Sequence, residues 1–310
     1  MNEISVFAPA TVANVACGFD VLGFALNDIG DELTVRKTDS LGLKIAAIHG
    51  GHTLSLENNE NVVTVAVQAL LDSLDEKPSF GFEFELTKKV KPGSGLGSSA
   101  SSSAAAVFAV NELLDKPYSK TQLVKFAMEG EKLASGVPHA DNVAPSLLGG
   151  FTLIRSYSPL DIVKLSYPKQ LYAMVVHPQI EIKTSDAKRI LKKEISLKDA
   201  ITQWGNLAGL VSGLASEDFD LIGRSLHDVI AEPVRGILIP AFKEVKNLAL
   251  ENNALGCSIS GSGPSIFALF QHLTDAESTS AEIKDFYKSL DVEANTYVSG
   301  INSIGAEILS

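Results

Sequence analysis

Lys91-Pro92-Gly93-Ser94-Gly95-Leu96-Gly97-Ser98-Ser99-Ala100 is the stretch on which the reading of this chain turns. It runs directly into an Ala-rich segment, 101–114, that carries helical spacing. Just upstream, Phe80-Gly81-Phe82-Glu83-Phe84-Glu85-Leu86 alternates apolar side chains with Gly and Glu, a period of two that predicts a half-buried strand. The order is therefore strand, glycine loop, helix start. Glycines let a backbone adopt conformations closed to other residues and approach a ligand closely, and the first turn of a helix presents N–H groups with no intrahelical partner. A polyphosphate suits such a place. The helix dipole contributes only ~0.3–1 kcal/mol there, so the amide hydrogen bonds must supply most of the binding. A hydroxyl from Ser98 or Ser99 would reach a metal accompanying the phosphates. Two other phosphate loops fail on residue type. A Walker loop ends in Gly-Lys-Ser/Thr, where this one ends Gly97-Ser98-Ser99-Ala100. A dinucleotide fingerprint needs an acidic residue about 20 positions on in an early βαβ unit, whereas Asp115 stands at a helix end. A flexible Gly/Ser surface loop would not lead straight into an Ala-rich helix.

Working outward, apolar patterning predicts further strands at 5–8, 33–37, 43–48, 151–155, 171–176, 257–260, 266–270 and 294–298, and helices at 98–114, 122–134, 185–193, 197–214 and 239–252. Strands and helices mix without a regular βαβα alternation, which predicts an α+β fold rather than a doubly wound parallel sheet. No internal repeat interrupts the chain. No Pro/Ser linker does either; the softest stretches are 157–159 and 167–168, and a boundary near residue 170 divides the chain into an N-terminal unit, 1–170, and a C-terminal unit, 171–310.

A chain of 310 residues buries roughly three quarters of its unfolded surface, enough for a core without metals or disulfides. With 45% hydrophobic and 20% charged residues and a net charge of -11, it has the profile of a soluble acidic protein, a poor partner for nucleic acid. Cys17 and Cys257 are too few for a disulfide framework and lack zinc-ligand spacing, which fits a reducing cytoplasm. The first ten residues lack a basic, then apolar, leader pattern, and no apolar run reaches the ~20 residues that span a bilayer.

Three other segments carry candidate chemistry. Pro9-Ala10-Thr11-Val12-Ala13-Asn14-Val15-Ala16-Cys17-Gly18-Phe19-Asp20 offers an amide and a carboxylate after a short strand, although Asp20 reads equally as a turn or cap and Asn14 as an Asx-turn residue. Glu131 falls on the expected helix 122–134, where an acidic residue is commonly a solvated face. It is followed by His139-Ala140-Asp141-Asn142-Val143-Ala144-Pro145, which crowds His, Asp and Asn between prolines. Near the other end, Gly256-Cys257-Ser258-Ile259-Ser260-Gly261-Ser262-Gly263-Pro264 reads first as a tight connection between strands.

Together these segments resemble the three signature motifs of the GHMP kinases. Residues 92–100 match Pro-x-x-x-Gly-Leu-Gly-Ser-Ser-Ala, and the outer motifs resemble those of the branch that phosphorylates the side-chain hydroxyl of L-homoserine: Pro-Ala-Thr-x-Ala-Asn with Gly-Phe-Asp, His-x-Asp-Asn-Val-Ala-Pro, and Glu232-Pro233-Val234-Arg235 followed by Ile239-Pro240. The resemblance implies an N-terminal domain like the second domain of ribosomal protein S5, a ferredoxin-like C-terminal domain and a cleft between them. It implies a cytoplasmic homodimer using ATP and Mg2+, with Lys91, Pro92, Gly93, Ser94, Gly95, Leu96, Gly97, Ser98, Ser99 and Ala100 around the phosphates and Asn61 near the nucleotide. Ser99 and Glu131 are the implied metal ligands. Asn14, Asp20, His139, Asn142, Arg235 and Gly261 are the implied substrate residues, and Asp141, Asn142 and Thr184 the implied catalytic group. The family's arginine after a Thr is displaced here: Lys188 holds the aligned position and Arg189 the next, leaving either as a carboxylate ligand. Ala16-Cys17 replaces a Gly-Pro pair, which bears on loop shape. A mevalonate or sugar kinase would share the central loop but give no reason for the His-x-Asp-Asn-Val-Ala-Pro and Glu-Pro-x-x-Arg matches, and intact Ser99, Glu131 and Asp141 argue against a nucleotide-sensing module without catalysis.

Overall fold

A computed structural model describes residues 1–180, 182, 187 and 189–310. Thr184 and Lys188 lie outside the described residues. So does part of the expected helix 185–193, whose residues 190–193 are turn and coil.

The first sheet is built from β1 (Glu3–Ala13), β2 (Leu22–Thr38), β3 (Leu43–His49), β4 (Gly81–Thr87), β5 (Phe151–Tyr157) and β6 (Leu160–Leu165). β7 (Tyr172–Pro178), β8 (Gly256–Ile259), β9 (Ile266–Phe270) and β10 (Ala294–Gly300) form a second, antiparallel sheet in the order β10-β7-β9-β8. The last strand, β11 (Glu307–Ile308), returns to the first sheet beside β1, giving the order β11-β1-β2-β4-β3 with β5 and β6 hung on β2. In β4 the alternation read from sequence holds: Phe82, Phe84 and Leu86 are buried and the intervening glutamates are not.

Helices α1 (Val62–Asp72), α2 (Ser98–Leu113), α3 (Lys120–Ser135) and α4 (Val143–Leu148) share an apolar core with the first sheet. α2 is buried on almost every side, and its run of Ala and Ser suits that position because small side chains let neighbouring backbones close in. Around the second sheet lie α5 (Leu197–Ser216), α6 (Phe219–Ser225), α7 (Glu232–Arg235), a 3-10 turn (Gly236–Leu238), α8 (Phe242–Glu251) and α9 (Leu273–Ser289). A second apolar cluster joins the two sheets, with Phe24 of β2 against Phe151 of β5 at 4.8 Å and Phe267 of β9 at 6.0 Å between ring centroids. The arrangement is the α+β, two-sheet architecture expected. Among the described residues no helix is long and apolar enough to cross a membrane.

Several elements exceed or escape the sequence reading. β2 spans 17 residues where the sequence reading gives only 33–37. The pairing of β1 with β2 jumps from Pro9↔Gly30 to Thr11↔Ala25, so residues 26–29 bulge out of the ladder, with Asp28 at φ 58°. The bulge touches the second sheet, Asn27 N–H donating to Ser299 Oγ at 2.6 Å. α9 was not expected at all: its buried face is Ala276, Thr279, Ser280, Ile283 and Tyr287, a stripe in which hydroxyl side chains hide the apolar period. The soft stretch 157–159 is the turn of the β5–β6 hairpin.

Candidate active site

The glycine loop is shaped by its neighbours. Gly93, Gly95 and Gly97 have φ of 73°, 82° and 64°. A Cβ on Gly97 would collide with Thr11 Oγ1 and lie 2.8 Å from Asn142 Oδ1; one on Gly95 would lie 2.7 Å from the carbonyl of Ser260 and 2.8 Å from that of Gly263. The loop carbonyls are held from behind: Thr11 N–H donates to Leu96 O (3.1 Å), Ser265 N–H to Ser94 O (3.1 Å) and Ser260 Oγ to Gly95 O (2.7 Å). The first and third motifs thus grip the main chain of the central one. The first intrahelical bond of α2 runs from Ser101 N–H to Gly97 O at 2.8 Å, which leaves the amides of 98–100 ahead of it for a ligand.

Beneath that first turn lies a buried ion pair that sequence reasoning missed. The Lys88 ammonium contacts Asp31 Oδ2 and donates to Ser98 O (2.6 Å) and Ser102 Oγ (2.9 Å). Asp31 also accepts from Lys89 N–H and Val90 N–H, each at 3.0 Å, and from Ser102 Oγ at 2.7 Å. Burial pushes the Lys88 pKa down, opposed by the charge and hydrogen bond of Asp31. Lys88 opens the run Lys88-Lys89-Val90-Lys91, and its partner Asp31 stands in β2, paired opposite Ala8. No local signal could have singled it out.

Ser99, at the second position of α2, donates from Oγ to Glu131 Oε2 at 2.6 Å. Glu131 is 8% exposed, so the solvated-face alternative for it does not hold. Among the described residues no group of three or more His, Cys, Asp or Glu is arranged to hold a metal. A hydroxyl and a carboxylate side by side suit a hard cation that keeps waters and phosphate oxygens as its other ligands.

At the opposite end the chain takes a left-handed turn. Asn14, Val15 and Ala16 have φ of 69°, 43° and 59°, closed by a 2.8 Å bond from Gly18 N–H to Asn14 O. Left-handed backbone costs roughly 1–2 kcal/mol per non-Gly residue, and such strain gathers at functional sites. The turn places Asn14 Oδ1 3.0 Å from Asp20 N–H, and Asn14 Nδ2 donates to Gly261 O at 2.9 Å. Asp20 Oδ1 lies 3.7 Å from His139 Nδ1. Tyr157, not anticipated, ties the same two segments: its hydroxyl donates to Asp20 O (2.7 Å) and accepts from Ala140 N–H (3.3 Å).

Asp141 is 3% exposed, and its Oδ1 finds no hydrogen-bond partner among the described residues. Burial first, then the charges of Asp20 and Glu131, push its pKa up to about 8. Asn142, which opens α4, accepts from Thr11 Oγ1 at 2.8 Å. Arg235, at the end of α7, is buried; its Nε donates to Ala187 O (3.0 Å) and its Nη1 to Gly261 O (3.2 Å), with the guanidinium 5.2 Å from the centroid of Phe19. Desolvation lowers its pKa against the opposing pull of Asp20, Asp228 and Asp141.

One cavity of about 320 Å³ takes in both ends. Of the residues singled out from sequence, Asn14, Asp20, Asn61, Pro92, Gly93, Gly95, Gly97, Ser98, Ser99, Glu131, His139, Asp141, Asn142, Arg235 and Gly261 all line it. Asn61 caps α1, accepting from Val63 N–H at 3.0 Å. Ser94, Leu96 and Ala100 are buried behind the loop instead. Lys91 points away, its ammonium donating to Gln179 Oε1 at 3.0 Å, and Arg189 is exposed outside the lining. Lys88, Ser102, Ser55, Glu60 and Ser262 line it without having been anticipated.

Comparison with known proteins gives a consistent picture. Residues 61–150 match the model of the GHMP kinases N terminal domain and residues 210–289 that of the GHMP kinases C terminal domain. Homoserine kinase of Chloroherpeton thalassium is 48% identical, with 100% of both chains covered, and that of Xanthomonas campestris pv. campestris 39% identical over 100% of this chain and 95% of the relative. The crystal structure of homoserine kinase from Cytophaga hutchinsonii superposes with a TM-score of 0.96 at 50% identity, covering 100% of this chain and 98% of the other. Mevalonate kinase of L. major, solved with R-mevalonate, has a TM-score of 0.70 at 16% identity over 95% of each chain, a likeness of fold alone.

Proposed function

The chain belongs to the homoserine kinases of the GHMP family and is a kinase, and from that premise we propose that its cleft transfers the γ-phosphoryl group of ATP to the side-chain hydroxyl of L-homoserine. The observation that carries this reading is the single cavity with Ser99 and Glu131 toward the glycine loop and Asn14, Asp20 and Arg235 at its other end. The loop amides receive the phosphates, with Asn61 on the nucleotide side. Ser99 Oγ and Glu131 Oε2 would hold Mg2+, which would offset the phosphate charge; the two oxygens are hard donors already 2.6 Å apart.

The substrate's ammonium group lies toward Asn14 and Asp20, and its carboxylate toward Arg235. That guanidinium is buried and, among the described residues, hydrogen-bonds to carbonyl oxygens, leaving a charge that a carboxylate would complement. Mevalonate carries no ammonium group for Asp20, so the acceptor end gives it no preference. His139, Asp141 and Asn142 face the hydroxyl. Phosphoryl transfer asks mostly for alignment: the hydroxyl oxygen bonds to the γ-phosphorus as the bridge to the β-phosphate breaks, ADP leaves, and the hydroxyl proton is released. Burial and the charges of Asp20 and Glu131 push the Asp141 pKa up to about 8, which favours its protonated form in the free protein. Its role is to orient the hydroxyl together with Asn142, a dedicated base being optional. Near-normal turnover by Asp141→Asn would remove it from the base role.

Gly261 presents its carbonyl to both Asn14 and Arg235. Thr184 and the Lys188/Arg189 pair belong to the same proposal as catalytic and carboxylate-binding groups. So do a domain boundary near residue 170, a homodimer and a cytoplasmic location. An ADP-release assay comparing L-homoserine with mevalonate and galactose tests the substrate: homoserine-dependent release is expected, and its absence overturns the assignment.

A further inference from the structure

A buried polar hub, outside the cavity lining and absent from every motif, links the two segments that hold opposite ends of the proposed amino-acid substrate. Gln203 projects from the middle of α5 and is 7% exposed. Its amide is fully used: Nε2 donates to Cys17 O (3.1 Å) and to Asp228 Oδ1 (3.0 Å), and Oε1 accepts from Val229 N–H (3.0 Å). Cys17 belongs to the left-handed turn that presents Asn14 and Asp20. Asp228, itself 5% exposed, accepts from the main-chain N–H groups of Ile230 (2.8 Å), Ala231 (3.1 Å) and Glu232 (2.8 Å), so it fixes the start of α7. Arg235 is the last residue of that helix. Glu232 is anchored again by Ser258 Oγ at 2.6 Å and Lys246 Nζ at 2.5 Å, so this short helix has little freedom except through Asp228.

We infer that Gln203 and Asp228 are positioning residues that set the distance between the Asn14–Asp20 turn and the Arg235 guanidinium, and so select an acceptor whose ammonium and carboxylate groups share one carbon. The inference rests on the function proposed above. A buried amide of this kind is costly to leave unpaired and cheap to replace by an apolar side chain in a place where packing alone is required. Apolar neighbours are at hand, since Leu207, Leu210 and Leu214 of the same helix pack into the core that joins the sheets. Gln203 and Asp228 therefore mark a place where geometry, not burial, decides the side chain. Neither lines the cavity, and nothing in the pair reaches the glycine loop, so the nucleotide end is expected to be indifferent to it.

A double-mutant cycle on kcat/KM for L-homoserine tests this, with Gln203→Met, Arg235→Ala and the two combined, alongside KM for ATP and the melting temperature of each variant. Wild-type turnover of homoserine comes first; its absence would defeat the proposed function and not the cycle. Gln203→Met alone is expected to lower kcat/KM about tenfold, mainly through KM for homoserine, with KM for ATP within about twofold of wild type. In the Arg235→Ala background the same change is expected to cost almost nothing further. Additive losses, or a parallel rise in KM for ATP, would overturn the inference and reduce Gln203 to general packing. Should Gln203→Met fail to fold, Asp228→Asn, which keeps an oxygen for the α7 amides but removes the charge, carries the same cycle with the same two outcomes.

Discussion

At the nucleotide end of the cavity nearly every polar group is already answered from within the protein, whereas at the acceptor end polar groups are buried and left waiting. The glycine-loop carbonyls are bonded from behind, and Lys88, Asp31, Ser98 and Ser102 satisfy one another. Across the cleft, and among the described residues, Asp141 Oδ1 has no partner and the hydrogen bonds of Arg235 go to carbonyls. The first end is a rigid cup whose free donors are main-chain amides, which suits an invariant ligand. The second holds side chains of both signs poised for a zwitterion, at the expense of stability in the empty protein.

That contrast predicts opposite responses to substitution. Lys88→Met is expected to show the largest effect, a loss of about 3–5 kcal/mol in urea unfolding, because it strands Asp31 as a buried charge. If the protein lost less than about 1 kcal/mol, the pair would not be what fixes the loop. Asp141→Asn should do the reverse. A carboxyl raised from 3.8 to about 8 binds its proton more tightly in the folded state, so its contribution is complete below pH 3.8 and disappears as pH rises through about 8. Melting curves across that window should show wild type falling behind Asp141→Asn by up to about 1.4 kcal/mol per pH unit. Parallel curves would mean that Asp141 is ionised in the free protein. Arg235→Ala should leave unfolding almost unchanged while lowering kcat/KM for homoserine by about 10- to 100-fold, the worth of a charge-assisted pair at roughly 1.5–3 kcal/mol. A comparable loss of stability would make Arg235 structural. The smallest effect expected is that of Thr11→Val, which removes the 2.8 Å bond to Asn142 Oδ1 and should lower kcat a few-fold for about 1 kcal/mol, with KM for ATP unmoved.

The same contrast explains what the amino-acid sequence discloses. The nucleotide end is local: strand β4, three glycines and the start of α2 follow one another within 81–100, so period and residue type suffice. The acceptor end draws Asn14, Asp141, Arg235 and Gly261 from four separate stretches, and each residue alone reads as easily as a turn, cap or surface group. Only resemblance to a family assembled them. Lys88 and Asp31 escaped for a third reason, since the two come from strands far apart in sequence and only the fold brings them together. Gln203 escaped because a single amide on an apolar helix face carries no period. The hidden stripe of α9, with Thr279 and Ser280 on its buried side, shows the same limit for secondary structure.

A crystal grown with a non-hydrolysable ATP analogue, Mg2+ and L-homoserine addresses the central claim most directly. The triphosphate should lie on the amides of the 92–100 loop, with the amino acid beyond it, ammonium group at Asp20 and carboxylate on Arg235. A nucleotide bound elsewhere, with that loop facing solvent, or an amino acid turned end for end, would contradict the account.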